Sequence, residues 1–435
     1  KTRRYSNADH QSLEVHYKEK NLQIHVMEKY AKLGASEIAR AIGFVLDYFG
    51  MDKKSFVQKH FKGSADILNL ATSSESFQRI VESLENPFQQ AIVADEKESN
   101  MLILAGPGSG KTKTVAHRCA YLIRVERVRA ESILVLCYNR SAAMTLRKRI
   151  RYLCDRDANG ITICTYHSLA LRILGLSAEF AFKSNDDDQK NQKNFDEIIP
   201  KATELLEGKV ETVGMDHEQL LNSILGRWNH ILIDEYQDID SNQYNFVSSI
   251  AGRLRTEDEF KTSKKLSILA VGDDDQNIYQ FRGANTQFIK KFESDYEATR
   301  HNLLQNYRSS ANIIQASNEL ISQNVDRMKT DDPIRINDKR KEYPLGGRWE
   351  SIDDLSEGLV QIIPCNSLRD QPGFVLNEIE RLRKLDSDAT WKDFAILGRT
   401  RKELEPVRSL LETKDIQVEW RCGHNESFPL HRLRE

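Results

Sequence analysis

Net charge is almost absent from this chain: 63 Lys plus Arg stand against 65 Asp plus Glu over 435 residues, a formal charge of -2. That excludes a histone-like or polybasic protein binding through bulk electrostatics, so any nucleic-acid contact has to be local. Cysteine is sparse and unpatterned. Cys119, Cys137, Cys154, Cys164, Cys365 and Cys422 include no C-x-x-C pair and read as buried thiols of a reducing, cytoplasmic compartment rather than disulfides or zinc ligands. Cys422-x-His424 is half of a metal pattern with no partner pair. Long apolar runs are missing too. Hydrophobic residues make up 39% of the chain, but no run approaches the ~20 residues of a membrane span, so no membrane partner is expected. An initiator Met and a charged-then-apolar leader are lacking at Lys1, from which the chain is expected to be a piece of a longer polypeptide. What remains is a large globular chain with room for two to four domains at about 150 residues each.

Residues 1–85 have helical texture and no chemical motif. Ile38, Ala41, Ile42, Val45, Leu46 and Phe49 recur at helical spacing, with Gly50 as the C-cap. Their small positive excess reads as a solvated helical face, with a weak DNA or partner surface as the sharper alternative. From Met101 the texture changes to short apolar runs, Met101–Ala105, Ile133–Cys137, Ile161–Cys164, Ile231–Ile233 and Leu266–Val271, separated by helix-like segments. This is the pattern of an α/β fold with a parallel sheet and crossover helices. Each run ends in a cluster of Gly, polar, acidic or aromatic residues. Ligands bind outside the carboxyl ends of such strands, so the five clusters converge on one site. The polar run between Ala178 and Asn194 reads as a surface loop. A second α/β set follows: apolar runs at Leu359–Ile363 and Phe394–Leu397, a helix at Val375–Leu385, and a helical stretch through Leu411.

Ala105-Gly106-Pro107-Gly108-Ser109-Gly110-Lys111-Thr112 joins the first apolar run to a helix carrying Val115, Ala116, Cys119, Leu122 and Ile123. That is the context of a phosphate-binding P-loop, with Ala105 in place of its first Gly. Only a backbone without Cβ curls its N–H groups around phosphate oxygens at the positive end of a helix. Lys111 would reach the β- and γ-phosphates and Thr112 would hold Mg²⁺. The plainer alternative is a Gly-rich turn with a solvated lysine. Ile231-Leu232-Ile233-Asp234-Glu235 is an apolar run ending in paired acids. Asp234 suits the Mg²⁺ shell and Glu235 the general base for water attacking the γ-phosphate. Alone, such a pair serves equally well as charge at a helix N-terminus.

Three later stretches carry a family resemblance: Asp234-Glu235-Tyr236-Gln237-Asp238, Val271 to Ala284 with its core Gly272-Asp273-Asp274-Asp275-Gln276, and Gln305-Asn306-Tyr307-Arg308-Ser309-Ser310. In that order they resemble the motifs of the UvrD/Rep/PcrA group of superfamily 1 DNA helicases. Cys137–Ala143 and Thr165–Ala170 fit it too, and the resemblance spans roughly residues 86–420. It implies an ATP- and Mg²⁺-dependent 3′ to 5′ motor on single-stranded DNA and duplex junctions, serving repair or recombination. It further implies a RecA-like P-loop NTPase domain with a short insertion at 86–298, a partial second RecA-like domain at 299–435, and a helical segment at 1–85.

The resemblance also assigns roles. Gln89 in Asn86-Pro87-Phe88-Gln89 would read adenine, with Gln90 the other choice. Thr114 would join the nucleotide site, Gln276 would sense the γ-phosphate, Tyr307 would stack on adenine, and Arg308 would contact the γ-phosphate. Tyr138, Asn139, Tyr166, His167, Tyr279, Phe281 and Arg282 fall where the family grips single-stranded DNA. Aromatic faces stack on any base at ~1 to 3 kcal/mol each, which suits a motor that does not read sequence. Taken singly, Tyr138 or Phe281 is as readily ordinary core.

Two departures stand out. The spacing from Lys111 to Glu235 implies a reduced accessory insertion. No fifth or sixth motif follows Leu397, and none of Arg399, Arg401, Arg408, Arg421, Arg432 and Arg434 stands in the context of the family's arginine finger. ATP binding is therefore expected of this chain, and unwinding by it alone is in question. The second reading is a nucleotide-gated DNA-binding scaffold module without unwinding activity; a third is a helicase–nuclease fusion. Phe44 to Gly50 also resembles the region after the motor core of RecQ-type helicases, which would make the parent a two-motor polypeptide.

Overall fold

Successive side chains of a strand point to opposite faces, so a strand covered on both sides has to be apolar throughout. Five runs of this kind, with a sixth strand, form an all-parallel sheet in the computed structural model of the chain: β1 (Met101–Ala105), β2 (Ile133–Cys137), β3 (Thr162–Thr165), β4 (His230–Ile233), β5 (Ser267–Gly272) and β6 (Thr299–Leu303). The sheet order is β3-β2-β4-β5-β1-β6. The structure describes residues 7–33, 37–61, 72–96, 98–175, 196–210, 217, 221, 224–252 and 266–419. The polar run at 178–194 and the Cys422-x-His424 pair lie outside them.

The helices, in chain order, are α1 (Asn7–Leu33), α2 (Ile38–Gly50), α3 (Lys53–His60), α4 (Ser74–Ile80), α5 (Pro87–Val93), α6 (Lys111–Arg124), α7 (Arg140–Cys154), α8 (Tyr166–Ile173), α9 (Ile198–Leu206), α10 (Ser241–Ala251), α11 (Gln287–Tyr296), α12 (Ala311–Ile321), α13 (Trp349–Ile352), α14 (Gln371–Leu385) and α15 (Arg401–Thr413). Alternation along β1 and β2 builds two cores. Met101, Ile103, Ile133 and Val135 pack with Val115 and Cys119 of α6 and Leu146 and Ile150 of α7. Leu102, Leu104, Leu134 and Leu136 pack on the other face with Leu169 of α8, Ala202 of α9, Phe246 of α10 and Phe292 of α11. No helix among the described residues is long and apolar enough to cross a membrane.

β6 had no apolar signature. It pairs with β1 from Met101↔Thr299 to Ala105↔Leu303, and as an edge strand only Leu303 of its five residues is buried. The first compact unit accordingly runs past the expected boundary at 298, to Arg308, and takes back residues 321–335. Cys119, Cys137, Cys154 and Cys164 are free and buried, and burial pushes all four thiols up, Cys154 and Cys164 to about 11.

The expected N-terminal helices are present, but the apolar stripe of α2 turns outward. Ile38, Ile42, Leu46 and Phe49 are exposed, while Phe44 packs with Leu22, Val26 and Phe56. Gly50 is the last helical residue and Met51 takes the capping position. Glu28 of α1 accepts from the Ser74 and Glu75 amides at the start of α4, placing an anion at a helix N-terminus.

The second unit, 309–320 with 336–435, holds α14 against α15 through Leu376, Val407 and Leu411. Buried Asp353 takes both guanidinium nitrogens of Arg381 at 2.7 Å, which holds its carboxyl well below the usual range. The expected helices are there. The apolar runs at 359–363 and 394–397 form no strand, and Ile362 is 93% and Leu397 92% exposed. A strand is defined by a neighbour about 4.8 Å away that takes its backbone bonds, and neither run has one among the described residues.

Arg118 of α6 shows how α5 is held. Its buried guanidinium donates to the carbonyls of Val93, Asp95 and Glu96 at 3.0, 2.6 and 2.5 Å, where α5 ends. Arg118→Leu removes the donors, leaving buried Val93 without this partner and Glu96 with only its bonds from Ser99, so it should cost about 3 kcal/mol in urea unfolding. A loss below about 1 kcal/mol would mean water replaces the guanidinium freely.

Candidate functional site

The P-loop leaves β1 at Ala105 and enters α6 at Lys111. Gly108 and Gly110 have φ of +68° and +88°, a region that side chains with a Cβ avoid. A Cβ on Gly106 would sit 2.6 Å from Ile334, and one on Gly108 would sit 2.8 Å from the Asn306 amide. Neighbouring segments bond the loop's carbonyls: Asn306 Nδ2 donates to Pro107 at 2.8 Å, buried Gln89 Nε2 to Ser109 at 2.8 Å, and the Tyr307 amide to Gly108 at 3.0 Å. With the carbonyls turned away and occupied, the loop is a cradle shaped for an anion.

Lys111 stands between three strand ends. Its Nζ lies 3.3 Å from Glu235 Oε2 after β4 and 3.2 Å from Gln276 Oε1 after β5. Thr112 Oγ1 donates to Asp234 Oδ2 at 3.3 Å. Asp234 Oδ1 is buried and has no hydrogen-bond partner. A buried carboxylate oxygen left open beside a hydroxyl is a hard oxygen donor set, which fits Mg²⁺. Burial, with the adjacent Glu235 carboxylate, pushes Asp234 up to about 7 against the pull of Lys111 and Thr112. The same two causes push Asp238 up to about 7. Glu235 is held at φ +56°, an uncommon backbone for a residue with a side chain and one found at functional sites. Gln237 ties the edge together: its Nε2 donates to Glu235 at 3.0 Å, and its Oε1 accepts from the Asp273 amide at 3.0 Å.

The rest of the expected nucleotide set gathers around the loop, with two differences. Tyr307 is exposed, its hydroxyl held by Asn86 Nδ2 and donating to Gln305 Oε1 at 3.1 Å. Arg308 is exposed, and its Cβ lies 3.0 Å from where a Cβ on Gly108 would be. Gln89, in contrast, spends its amide nitrogen on the P-loop backbone. Thr114 is fully buried and its hydroxyl donates to Gly110 O at 3.2 Å, the i−4 back-bond open to any helical threonine. Sequence reasoning missed Asn86, Gln305 and Asn306 as scaffolding, although they lie inside the quoted motifs. It also missed Arg327 and Lys329, lone cations in a polar stretch without any signal.

The aromatic positions divide. Tyr138 and Tyr279 have ring centroids 5.0 Å apart, Tyr279 and Phe281 6.1 Å, and the Arg282 guanidinium lies over both later rings at 5.9 and 5.8 Å. Phe281 is 79% exposed, so it is not core. Asn139 is exposed and caps α7, accepting from the Ala142 amide at 2.8 Å. His167 is half-buried, and burial pulls its pKa down. Tyr166 departs from the expectation. It is 1% exposed inside the core beneath β1 and β2, because the first residue of α8 faces the sheet, so it has no face for a base.

Residues 85–186 and 182–297 match the UvrD/REP helicase N-terminal domain, and residues 301–426 match the UvrD-like helicase C-terminal domain. DNA helicase II of Haemophilus influenzae is 32% identical over 295 residues, 53% of this chain and 39% of that protein. The ATP-dependent DNA helicase PcrA of Leuconostoc citreum is 28% identical over 411 residues, 79% of this chain and 51% of that protein. The chain thus spans about half the length, or less, of the curated relatives it matches. A solved Pif1 helicase of Candida albicans aligns at 16% identity over 55% of this chain and 45% of that one, with a TM-score of 0.32.

Asp234 yields a pH test. In metal- and nucleotide-free protein the folded state keeps a proton on Asp234 up to about pH 7, whereas an unfolded aspartate releases it near 3.9. The folded state binds the extra proton between these values, so stability falls as pH rises from about 4 to 7. Asp234→Asn removes that penalty. It should raise the thermal midpoint by about 3–6 °C at pH 8 and by much less at pH 4.5; equal gains at both pH values would refute the assignment.

Proposed function

The chain belongs to the UvrD/REP helicase family, and on that premise we propose that it is an ATP- and Mg²⁺-dependent motor acting on single-stranded DNA. The observation that carries the reading is the meeting of Lys111, Glu235 and Gln276 within hydrogen-bond reach, beside the open oxygen of Asp234. Thr112 and Asp234 would hold Mg²⁺, whose charge would offset that on the transferring phosphoryl group. Lys111 would bind the β- and γ-phosphates. Glu235 would orient a water and take its proton as the water oxygen attacks the γ-phosphorus and the bond to the ADP oxygen breaks. Gln276 and Arg308 would report the γ-phosphate, and Tyr307, braced by Asn86 and Gln305, would stack on the adenine with Gln89 beside it.

Tyr138, Tyr279, Phe281 and Arg282 would form the stacking track, with Asn139 and His167 at its margin. In this reading residues 86–308 with 321–335 make the first RecA-like domain with its short insertion. Residues 309–320 with 336–435 make part of a second, and 1–85 form a helical segment. Family resemblance extends the proposal to 3′ to 5′ movement, work at duplex junctions in repair or recombination, and the cytoplasm.

Lys111→Ala should lower ATP turnover in saturating single-stranded DNA by at least about 100-fold; unchanged turnover would remove the P-loop from the reading. Turnover of the wild-type chain with and without DNA separates a motor from a nucleotide-gated scaffold, since a scaffold binds both ligands with negligible stimulation. Phe281→Ala should weaken single-strand binding by about 5- to 100-fold, the worth of one base stack, and leave nucleotide affinity within about 2-fold. Equal loss of both would mark Phe281 as structural.

A further inference from the structure

Three consecutive carboxylates, Asp273, Asp274 and Asp275, follow β5, with ligand oxygens within 4.8 Å of one another. Such a cluster repels itself unless cations reach it, and the cations come from residues 321–335. Lys329 Nζ, with its side chain fully buried, donates to Asp273 Oδ1, to Asp274 Oδ1 at 2.9 Å, and stands 3.3 Å from Asp275 Oδ2. Arg327 grips Asp275 with both nitrogens at 2.8 and 2.9 Å, and the Met328 amide donates to Asp274 at 2.6 Å. The other oxygen of Asp273 accepts from Gln276 Nε2, while Gln276 Oε1 accepts from Lys111.

We propose that Lys329 is a positioning residue for turnover: by fixing Asp273 it sets the side-chain amide of Gln276 against Lys111. An amide has one accepting end and one donating end, and Lys111 carries only donors. Gln276 therefore faces Lys111 productively only while an acceptor holds its nitrogen from behind. Asp273 is that acceptor; it is fully buried, and the Lys329 ammonium is the cation placed against it. The relay runs Lys329, Asp273, Gln276, Lys111, with no direct contact between its first member and the P-loop. It also gives 321–335 a role in catalysis although these residues are flanked along the chain on both sides by the second unit. The inference rests on the reading of Lys111 and Gln276 as γ-phosphate contacts in ATP hydrolysis.

The test uses the full chain and measures DNA-stimulated kcat, affinity for a fluorescent ATP analogue, and the thermal midpoint. Lys329→Met is expected to lower kcat at least about 10-fold with analogue affinity within about 3-fold, and Lys329→Arg to recover a large part of it. Arg327→Gln, which unpairs a neighbouring carboxylate without touching Asp273, is expected to lower the midpoint while kcat stays within about 3-fold. In a Gln276→Ala background, Lys329→Met should change kcat by less than about 2-fold, since the relay is already cut. A full 10-fold loss in both backgrounds, or equal kcat losses for Arg327→Gln and Lys329→Met, would overturn the proposal. If Lys329→Met does not fold, Asp273→Asn replaces it in the same cycle with the same two outcomes. A wild-type chain without DNA-stimulated turnover would overturn the functional reading itself, and this inference with it.

Discussion

Negative charge at the carboxyl ends of β4 and β5 is the constraint around which this molecule is arranged. Asp234, Glu235, Asp238, Asp273, Asp274 and Asp275 crowd one edge of the sheet, all but Glu235 and Asp275 buried. Against them stand Lys111, Arg327 and Lys329. The near-zero formal charge of the whole chain conceals this local excess. Burial and the neighbouring Glu235 carboxylate push Asp234 and Asp238 up to about 7, so near neutral pH protons offset part of this charge, as a divalent ion also would.

The same strand ends set the division of labour. Within the residues that follow β5, Gln276 faces Lys111 while Tyr279, Phe281 and Arg282 form an exposed aromatic surface. The two lie three to six positions apart along the chain, with two short 3-10 turns between β5 and Gly283. A change at one end of so short a segment has few torsions in which to dissipate. On the opposite side of the loop, Asn86, Gln305, Asn306 and Tyr307 knit the start of α5 to the residues after β6. The P-loop is thus braced from both flanks before any ligand arrives, which lowers the ordering cost of binding.

Much of this was legible from residues alone, and the failures have physical causes. Five strands announced themselves because burial on both faces forces an unbroken apolar run, and each expected boundary lies within a residue of the observed one. β6 did not, since an edge strand is half solvated and Thr299-Arg300-His301-Asn302 carries no such run. The runs at 359–363 and 394–397 show the converse: apolar β-branched sequence makes a strand only when a partner takes its backbone bonds. Around the site, Gly108, Gly110, Lys111 and the acidic pair were readable because phosphate and metal chemistry restricts residue type. Tyr166 misled because an aromatic one residue after a strand serves a core or a surface equally well. Lys329 was invisible, since its role exists only through Asp273, more than fifty positions away.

Chain connectivity has a practical side. The polypeptide leaves the first unit after Arg308, returns at Ile321 and leaves again after Arg335. The sheet-bearing unit is therefore not a contiguous stretch. A fragment ending at residue 298 would lack an edge strand and both cations that neutralise Asp273, Asp274 and Asp275, so it would expose the backbone of β1 and bury unbalanced charge. The shortest piece that retains the braced P-loop must extend to Arg335, carrying the 309–320 excursion as a passenger, and during synthesis the site is incomplete until that point has left the ribosome.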